Sequence, residues 1–564
     1  MYRDETMDDA HWGRDLLILG LVIGLLFSFM LGSRALWQPD EGRYVEIPRE
    51  MVASGNYVTP RLDGVKYFEK PVLFYWLEAA SIKLFGLNEW SARLWPALLG
   101  LIGCLTVYAA GRRLYGRAAG LIASIALATN ILYYALARIV TIDMPVSVLL
   151  TISLLAFLVG TKEAPGPRRR WLMWTFYAFA ALATLAKGLI GIVIPGMVIG
   201  AWILLLDDWR LLRSIYLPSG IVLLLVIAAP WHVLVARANP EFLHFYFVRE
   251  HFERYLTKVE HRYQPIWFFV PVILLGLYPW IVFLFQALRR SFPASWAKRH
   301  LERDALYLIL WAALIFVFFS LSDSKLITYI LPVFPPLAIL IGRYLAPAWN
   351  DTPVPGMTAG LWQLLAASVA IAVLLIAAPH LTATDQKVGS YTVALRPYLD
   401  AMAAIAVIGS IAAVGLVRRW PRYSLVAIAL MAAAFLSVLT AGLPLMDNKN
   451  SVKALALFLK PRLGPNTEVV TYHLYYQDLP VYIQRRVTIV GFKGELKFGT
   501  TIENDSAWII NDRTFWRRWQ SPATIYMLTT REIYNQLLAA GHGKFNLLAE
   551  SGDNVLLSNA EKKS

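Results

Sequence analysis

The chain is predicted to be a mainly helical, polytopic membrane protein that ends in a small α/β domain. Three observations carry that prediction. Of its 564 residues, 57% are hydrophobic and only 16% are charged, whereas soluble domains hold about 25% charged residues. Apolar windows of membrane-crossing length recur as far as about residue 445. Beyond that point, short strand-like runs alternate with helical ones.

The first window, LLILGLVIGLLFSFMLG over 16–32, is long enough as a helix to cross a hydrocarbon core of about 30 Å. Open strands are excluded there because lipid cannot solvate unpaired backbone groups. No small-x-small cleavage site precedes the Trp37 to Asp40 stretch, so this run is expected to stay as an anchor. Thirteen spans are predicted in all: 15–34, 92–111, 118–137, 144–160, 171–186, 189–206, 214–236, 265–288, 305–321, 326–345, 357–378, 399–417 and 423–442. The net charge of +15 does not point to nucleic acid, because most Lys and Arg lie between spans, where they set topology and meet anionic lipid. With a cytoplasmic N-terminus, Arg112, Arg113, Arg117, Lys162, Arg168 to Arg170, Arg210, Arg213, Arg289, Arg290, Lys298, Arg299, Arg303, Arg418, Arg419 and Arg422 fall in cytoplasmic loops. The opposing short loops hold Arg138, Lys187, Lys325, Lys387 and Arg396. An odd number of spans then leaves the C-terminus outside.

The chain is thus expected to comprise a membrane domain, 1–445, with large outer loops at 35–91 and 237–264, and an outer α/β domain, 446–564. In the first loop, Tyr44, Ile47, Pro48, Met51 and Val52 recur at helical spacing opposite Arg43, Glu46, Arg49 and Glu50, which predicts a helix lying in the interface. A second piece, PVLFYWLEAASIKLFG over 71–86, is too short to span and carries Glu78 and Lys83; it is expected to lie on the membrane or re-enter it. After about residue 450, SVKALALFLKPRL reads as an amphipathic helix, and TEVVTYHL, RVTIVGF, SAWIIND, ATIYMLTT and NVLLSN read as strands, with a helical REIYNQLLAAG among them. No internal repeat and no Gly-rich nucleotide loop is found. The single cysteine, Cys104, lies in a predicted span and excludes an intrachain disulfide and a Cys-based metal site.

Chemistry belongs to the outer face. Asp40 and Glu41 follow the first span in WQPDEGRYVEIPREM, and Asp143 in ARIVTIDMPVS lies at the same face. Each aspartate would serve equally as a helix cap. Two acids at one membrane face are more informative, because carboxylates there are costly unless paired or used, and Arg43 and Arg138 are available as partners. Lys66, Glu69 and Lys70 beside Tyr67 and Phe68, and the REHFERYLTKVEHRY segment over 249–263, combine cations with aromatics. Such groups anchor headgroups, or form a socket for a lipid phosphate. Lys187, and Lys325 before Tyr329, either face the same cavity or fix topology.

Asp-Glu followed by Arg-Tyr after the first span, then EKPVLFYWL, ARIVTIDMP and REHFERY, resemble the membrane glycosyltransferases related to the protein O-mannosyltransferases. Within that superfamily the chain is most similar to the 4-amino-4-deoxy-L-arabinose transferases that modify lipid A. The resemblance implies the large membrane glycosyltransferase fold and an inverting pentosyl transfer, from undecaprenyl-phosphate-linked aminoarabinose to lipid A phosphates at the periplasmic face of the inner membrane. It implies that polymyxin and other cationic peptides are resisted, and a monomer is expected. By motif position Asp40 is implied as the principal catalytic acid, with Glu41 beside it, and Asp143 as the second acidic site. Lys70 and Arg254 are implied at the carrier phosphate, with Lys66, Tyr67, Arg43, Arg138 and Tyr329 as further substrate-binding candidates. A divalent metal ion is the one cofactor considered. Its candidate ligands are Glu69 and His251, together with His244, His261 or Glu253, although no metal-ligand spacing stands out.

Two rival functions are weighed. A protein O-glycosyltransferase fed by a polyprenyl-phosphate sugar shares all these motifs. A secondary transporter of a lipid or small anionic solute also carries acids and cations among its spans. Against transport, the charges gather at one face rather than at the midplane, and the first loop and C-terminal domain have no transport role.

Overall fold

A computed structural model of the protein describes residues 11–247, 263–381 and 386–560. Two compact units are present, Met1–Leu31 with Leu94–Gly442, and Gly32–Arg93 with Leu443–Ser564. The first loop, which the sequence groups with the membrane domain, shares a unit with the C-terminal segment.

The first unit is a bundle of helices. Among the described residues, eight helices are long and apolar enough to cross a membrane, or nine if a bent pair counts as one span. Arg117–Ala128 and Ile190–Leu206 are apolar but shorter. All thirteen predicted spans fall on helical segments, but length and composition support fewer crossings, because several segments are short or broken. The predicted span 118–137 breaks at Asn130, whose carboxamide accepts from Tyr133 N and starts a new helix, Ile131–Leu136. The predicted span 265–288 bends by 104° between Phe269–Gly276 and Trp280–Ser291; Pro279 lies in the break and has no N–H to continue the ladder. The division expected near residue 187 is observed at Gly188, where φ is +92° between the helices Pro167–Lys187 and Ile190–Leu206.

At one end of the bundle the basic loops are tied to acids. Asp15 accepts from Tyr108 Oη at 2.8 Å and from Arg117 Nε at 2.5 Å. Arg113 meets Glu163 at 3.1 Å, Arg343 meets Glu302 at 2.7 Å, and Lys162 pairs with Asp304.

The second unit contains the helix Asp40–Ser54, closed by Gly55 at φ +73°, and a hairpin of β1 (Arg61–Leu62) and β2 (Val65–Lys66). The helix Leu73–Phe85 follows. Its sheet consists of β3 (Glu468–Tyr472), β4 (Thr488–Val490), β5 (Ile509–Ile510), β6 (Ile525–Thr530), β7 (Asn546–Ser551) and β8 (Asn554–Ser558), in the order β5-β4-β3-β6-β8-β7. The first four strands in that order are parallel, and β8 and β7 are antiparallel additions. Every predicted strand is present, and β7 is an addition. Its NLLAES sequence is half polar and its pairing shifts register between Leu547 and Ala549, so it lacks a clean alternation.

Helix Asp40–Ser54 has the expected apolar positions, with Tyr44, Ile47 and Met51 buried. Its polar face is not left to water, because Arg43 and Glu46 are buried too. The C-terminal segment covers it: a Cβ on Gly42 would lie 2.5 Å from Asp478 N and 2.7 Å from Gln477 C. Asp63, in the β1–β2 turn, accepts from Val487 N at 3.0 Å, and Arg61 meets Glu503 through two bonds of 2.8 and 2.9 Å. These links explain why the loop folds with a segment so distant in the chain.

Candidate active site

Asp40 is the first residue of its helix, where the partial positive charge of the free N–H groups favours a carboxylate. Its side chain is 49% exposed and pairs with Arg43, whose other amino group donates to Glu495 Oε2 at 2.5 Å. Arg43 also lies over the Tyr44 ring, 5.1 Å from its centroid, and Tyr44 stacks against Tyr75 at 6.2 Å.

Around this guanidinium several buried polar atoms have no hydrogen-bond partner among the described residues: Arg43 Nε, Tyr67 Oη and Tyr75 Oη. Burial pushes both phenols well above their usual range, and the nearby Glu69 and Glu495 carboxylates push the same way. They therefore stay neutral and keep their O–H donors. Unsatisfied buried donors cost about 1–3 kcal/mol each, and a ligand that accepted from them would recover that cost.

Glu41 has a different setting. It is buried, and its two oxygens accept from Arg34 at 2.7 and 3.1 Å, from Arg93 at 2.9 Å twice, and from Trp37 N at 2.9 Å. Burial pushes its carboxyl up, but the charges of Arg34 and Arg93 outweigh that and hold it at about 2. A carboxylate so saturated organises the loop and is not available to a substrate. Arg34 and Arg93 were not singled out from the sequence; the signal was there in their positions at the end of the first span and the start of the second.

Lys66 faces Glu503 at 3.6 Å, and Lys70 Nζ donates to the Glu69 carbonyl at 2.8 Å. Asp40, Arg43, Lys66, Tyr67, Glu69 and Lys70 thus all belong to the second unit.

In the first unit, Asp143 begins the helix Asp143–Gly160 and pairs with Lys187. The Lys187 ammonium lies 4.3 Å from the Tyr329 ring centroid. The structure therefore brings together Asp143, Lys187 and Tyr329. Arg138, expected as an acid's partner, donates to the carbonyls of Phe27 and Phe29, where it caps the first helix. Lys325 donates to the carbonyls of Gln264 at 2.8 Å and Ser322 at 2.6 Å. Arg254 and His251 lie outside the described residues, as do Glu253 and His261. Among the described residues no group of three or more His, Cys, Asp or Glu is placed to hold a metal ion.

Helices long and apolar enough to cross a membrane, a folded first loop and a C-terminal sheet define a multi-span membrane protein. The family model described as Dolichyl-phosphate-mannose-protein mannosyltransferase matches residues 69–233, and that described as Aminoarabinose transferase C-terminal domain matches 455–559. The chain belongs to the undecaprenyl phosphate-alpha-4-amino-4-deoxy-L-arabinose arabinosyl transferase family. The relative of that name from Aeromonas salmonicida is 31% identical over 409 residues, which cover 71% of this chain and 73% of the relative. The one from Enterobacter sp. is 31% identical over 364 residues, 64% of this chain and 65% of the relative, so the matched stretch is just under two thirds of that protein. The crystal structure of ArnT from Cupriavidus metallidurans bound to undecaprenyl phosphate matches with a TM-score of 0.87 at 30% identity, covering 96% of this chain and 98% of that one.

Proposed function

We propose that this protein transfers 4-amino-4-deoxy-L-arabinose from undecaprenyl phosphate to the phosphate groups of lipid A, at the periplasmic face of the inner membrane. The observation that carries the proposal is the near full-length likeness to a solved arabinosyl transferase that holds the same lipid carrier. In this reading the N-terminus is cytoplasmic and the C-terminal domain periplasmic, in keeping with the distribution of Lys and Arg over the loops. The product carries an ammonium group where lipid A had only negative charge, and so weakens the binding of polymyxin and other cationic peptides.

In the transfer, an oxygen of the acceptor phosphate forms a bond to the anomeric carbon while the bond from that carbon to the carrier phosphate breaks. The carrier leaves with the electron pair as undecaprenyl phosphate, and a single displacement inverts the centre. The acceptor is already ionised at neutral pH, so no general base is required. Asp40 is assigned to hold the sugar's ammonium group and to stabilise positive charge developing at the anomeric carbon. Lys70, with Arg254, is assigned to the leaving phosphate, where a point charge and a bidentate fork suit its oxygens. Tyr67 and Arg43 supply neutral and charged donors beside Asp40, and the pair Asp143–Lys187 with Tyr329 is assigned a second substrate contact. Glu41 and Arg138 are assigned structural roles, and Glu69 is the described candidate if a divalent metal is used.

The test is to incubate the purified chain in nanodiscs with lipid A and polyprenyl-phosphate aminoarabinose and to follow lipid A by mass spectrometry. Aminoarabinose added by the wild type and absent with Asp40→Ala is the expected result. No product from the wild type, or full product from Asp40→Ala, overturns the mechanism. The match to the protein mannosyltransferase model keeps one alternative, transfer to a protein acceptor; glycosylated protein with unchanged lipid A in the same assay would establish it.

A further inference from the structure

A cavity of about 190 Å³ lies wholly within the second unit, and none of the residues assigned above lines it. Asn88, Glu89, Lys453, Leu457, Lys460 and Tyr482 form the part of its wall that bears on its chemistry. Glu89 is the first residue of the helix Glu89–Tyr115, which is long and apolar enough to cross a membrane, so the cavity lies beside the first turn of that helix. Neighbouring side chains are apolar and exposed: Leu84 is 74% exposed, Phe85 50% and Trp90 41%, and the Phe85 and Trp90 rings meet edge to face at 5.4 Å. Exposed aromatics of this kind mark the membrane–water interface.

The charge in the cavity is positive. Lys453 pairs with Glu89 at 2.5 Å and lies 5.7 Å from the Tyr482 ring centroid. Lys460, which opens a 3-10 turn directly after the helix Lys453–Leu459, lines the same cavity and is exposed. Two lysines and one glutamate thus line the cavity. Between them Leu457 is 50% exposed, so one face presents cation, apolar group and cation in turn. That sequence suits the junction of a charged headgroup and its acyl chain, and not a free anion, which has no use for the leucine.

We propose that this cavity seats the anionic phosphate headgroup of a bilayer phospholipid, held by Lys453 and Lys460, with Leu457 against its acyl chain. The site is separate from the sugar-transfer machinery and rests only on the chain being a membrane protein.

The test is native mass spectrometry of the full-length protein in detergent, titrated with phosphatidylglycerol, with phosphatidylcholine and with inorganic phosphate. Phosphatidylglycerol is expected to bind the wild type and phosphatidylcholine to bind much more weakly. At about 1 kcal/mol per basic residue near a lipid surface, each Lys→Gln change should weaken binding about 5-fold and the double change about 30-fold. Lys460→Gln is the decisive single variant, since that exposed residue can be replaced without disturbing the Lys453–Glu89 pair. Leu457→Ser should lengthen the loss for long-chain lipid and leave a short-chain analogue unaffected. Equal binding of the two phospholipids, unchanged binding by the double variant, or displacement of phosphatidylglycerol by inorganic phosphate at millimolar concentration would each overturn the proposal.

Discussion

Asp40 keeps about half of its side chain exposed (49%) and shares one guanidinium, while Glu41 next to it is buried with both oxygens on Arg34 and Arg93. Opposite outcomes are expected from neutralising them. Asp40→Asn should abolish sugar transfer with the thermal unfolding midpoint nearly unchanged, measured by product mass and by a thermal melt in detergent. Glu41→Gln should cost about 3–5 kcal/mol of stability, because it removes the buried carboxylate that pairs with both guanidiniums; a denaturant titration reads this directly. Linkage gives a pH signature as well. The folded carboxyl of Glu41 titrates at about 2 against an ordinary 4.5, so its contribution is complete above 4.5 and is lost as pH falls toward 2. The sequence displays the acidic pair after the first span but not which member is available, since that is decided by Arg93, 52 positions further on. For the same reason Asp143 is legible as an acid at a membrane face while its partner Lys187, 44 positions away, is not.

Helix Asp40–Ser54 shows how far periodicity reaches. Its existence follows from the spacing of Tyr44, Ile47 and Met51, but the burial of Glu46 near Asp63, Arg49 and Tyr475 depends on a segment over 400 positions away. Gly42 on this helix meets the Asp478 backbone so closely that Gly42→Ala must push two chain segments apart; a loss of about 1–3 kcal/mol is expected, seen as faster cleavage of the loop by protease. Asp478 itself is buried, accepting from Ser451 Oγ at 2.7 Å and Val452 N at 2.9 Å. Burial pushes its carboxyl up to about 7 from 3.8. A raised carboxyl lends full stability below 3.8 and loses it as pH rises through 7. The second unit should therefore weaken between pH 4 and 7, and Asp478→Asn, which keeps an acceptor without a charge, should flatten that slope in melts run across the range. The broken spans were legible only in part: Asn130 and Pro279 are visible breakers, but apolar composition alone carried the prediction across them.

At the scale of the whole chain, two units of different chemistry alternate along one sequence. The bundle was predictable because lipid allows few solutions, whereas the pairing of the first loop with the C-terminal sheet required contacts that local pattern does not encode. A chain ending at Gly442 should insert its helices and leave residues 32–93 uncovered, since Arg43, Asp63 and Arg61 lose Glu495, Val487 and Glu503. Rapid cleavage of that loop by external protease in spheroplasts, against resistance in the full chain, is the expected result. The same interruption sets a clock on synthesis. About 350 residues separate the two halves of the second unit, which at ordinary ribosomal rates is roughly 20–70 s. Throughout that interval the loop, exported on the topology proposed above, must wait with its ionisable side chains hydrated and its helix uncovered for the last segment to emerge. The loop's charged inner face is suited to such a delay, because a polar surface tolerates water until its partner arrives, whereas an apolar one would be drawn into the membrane.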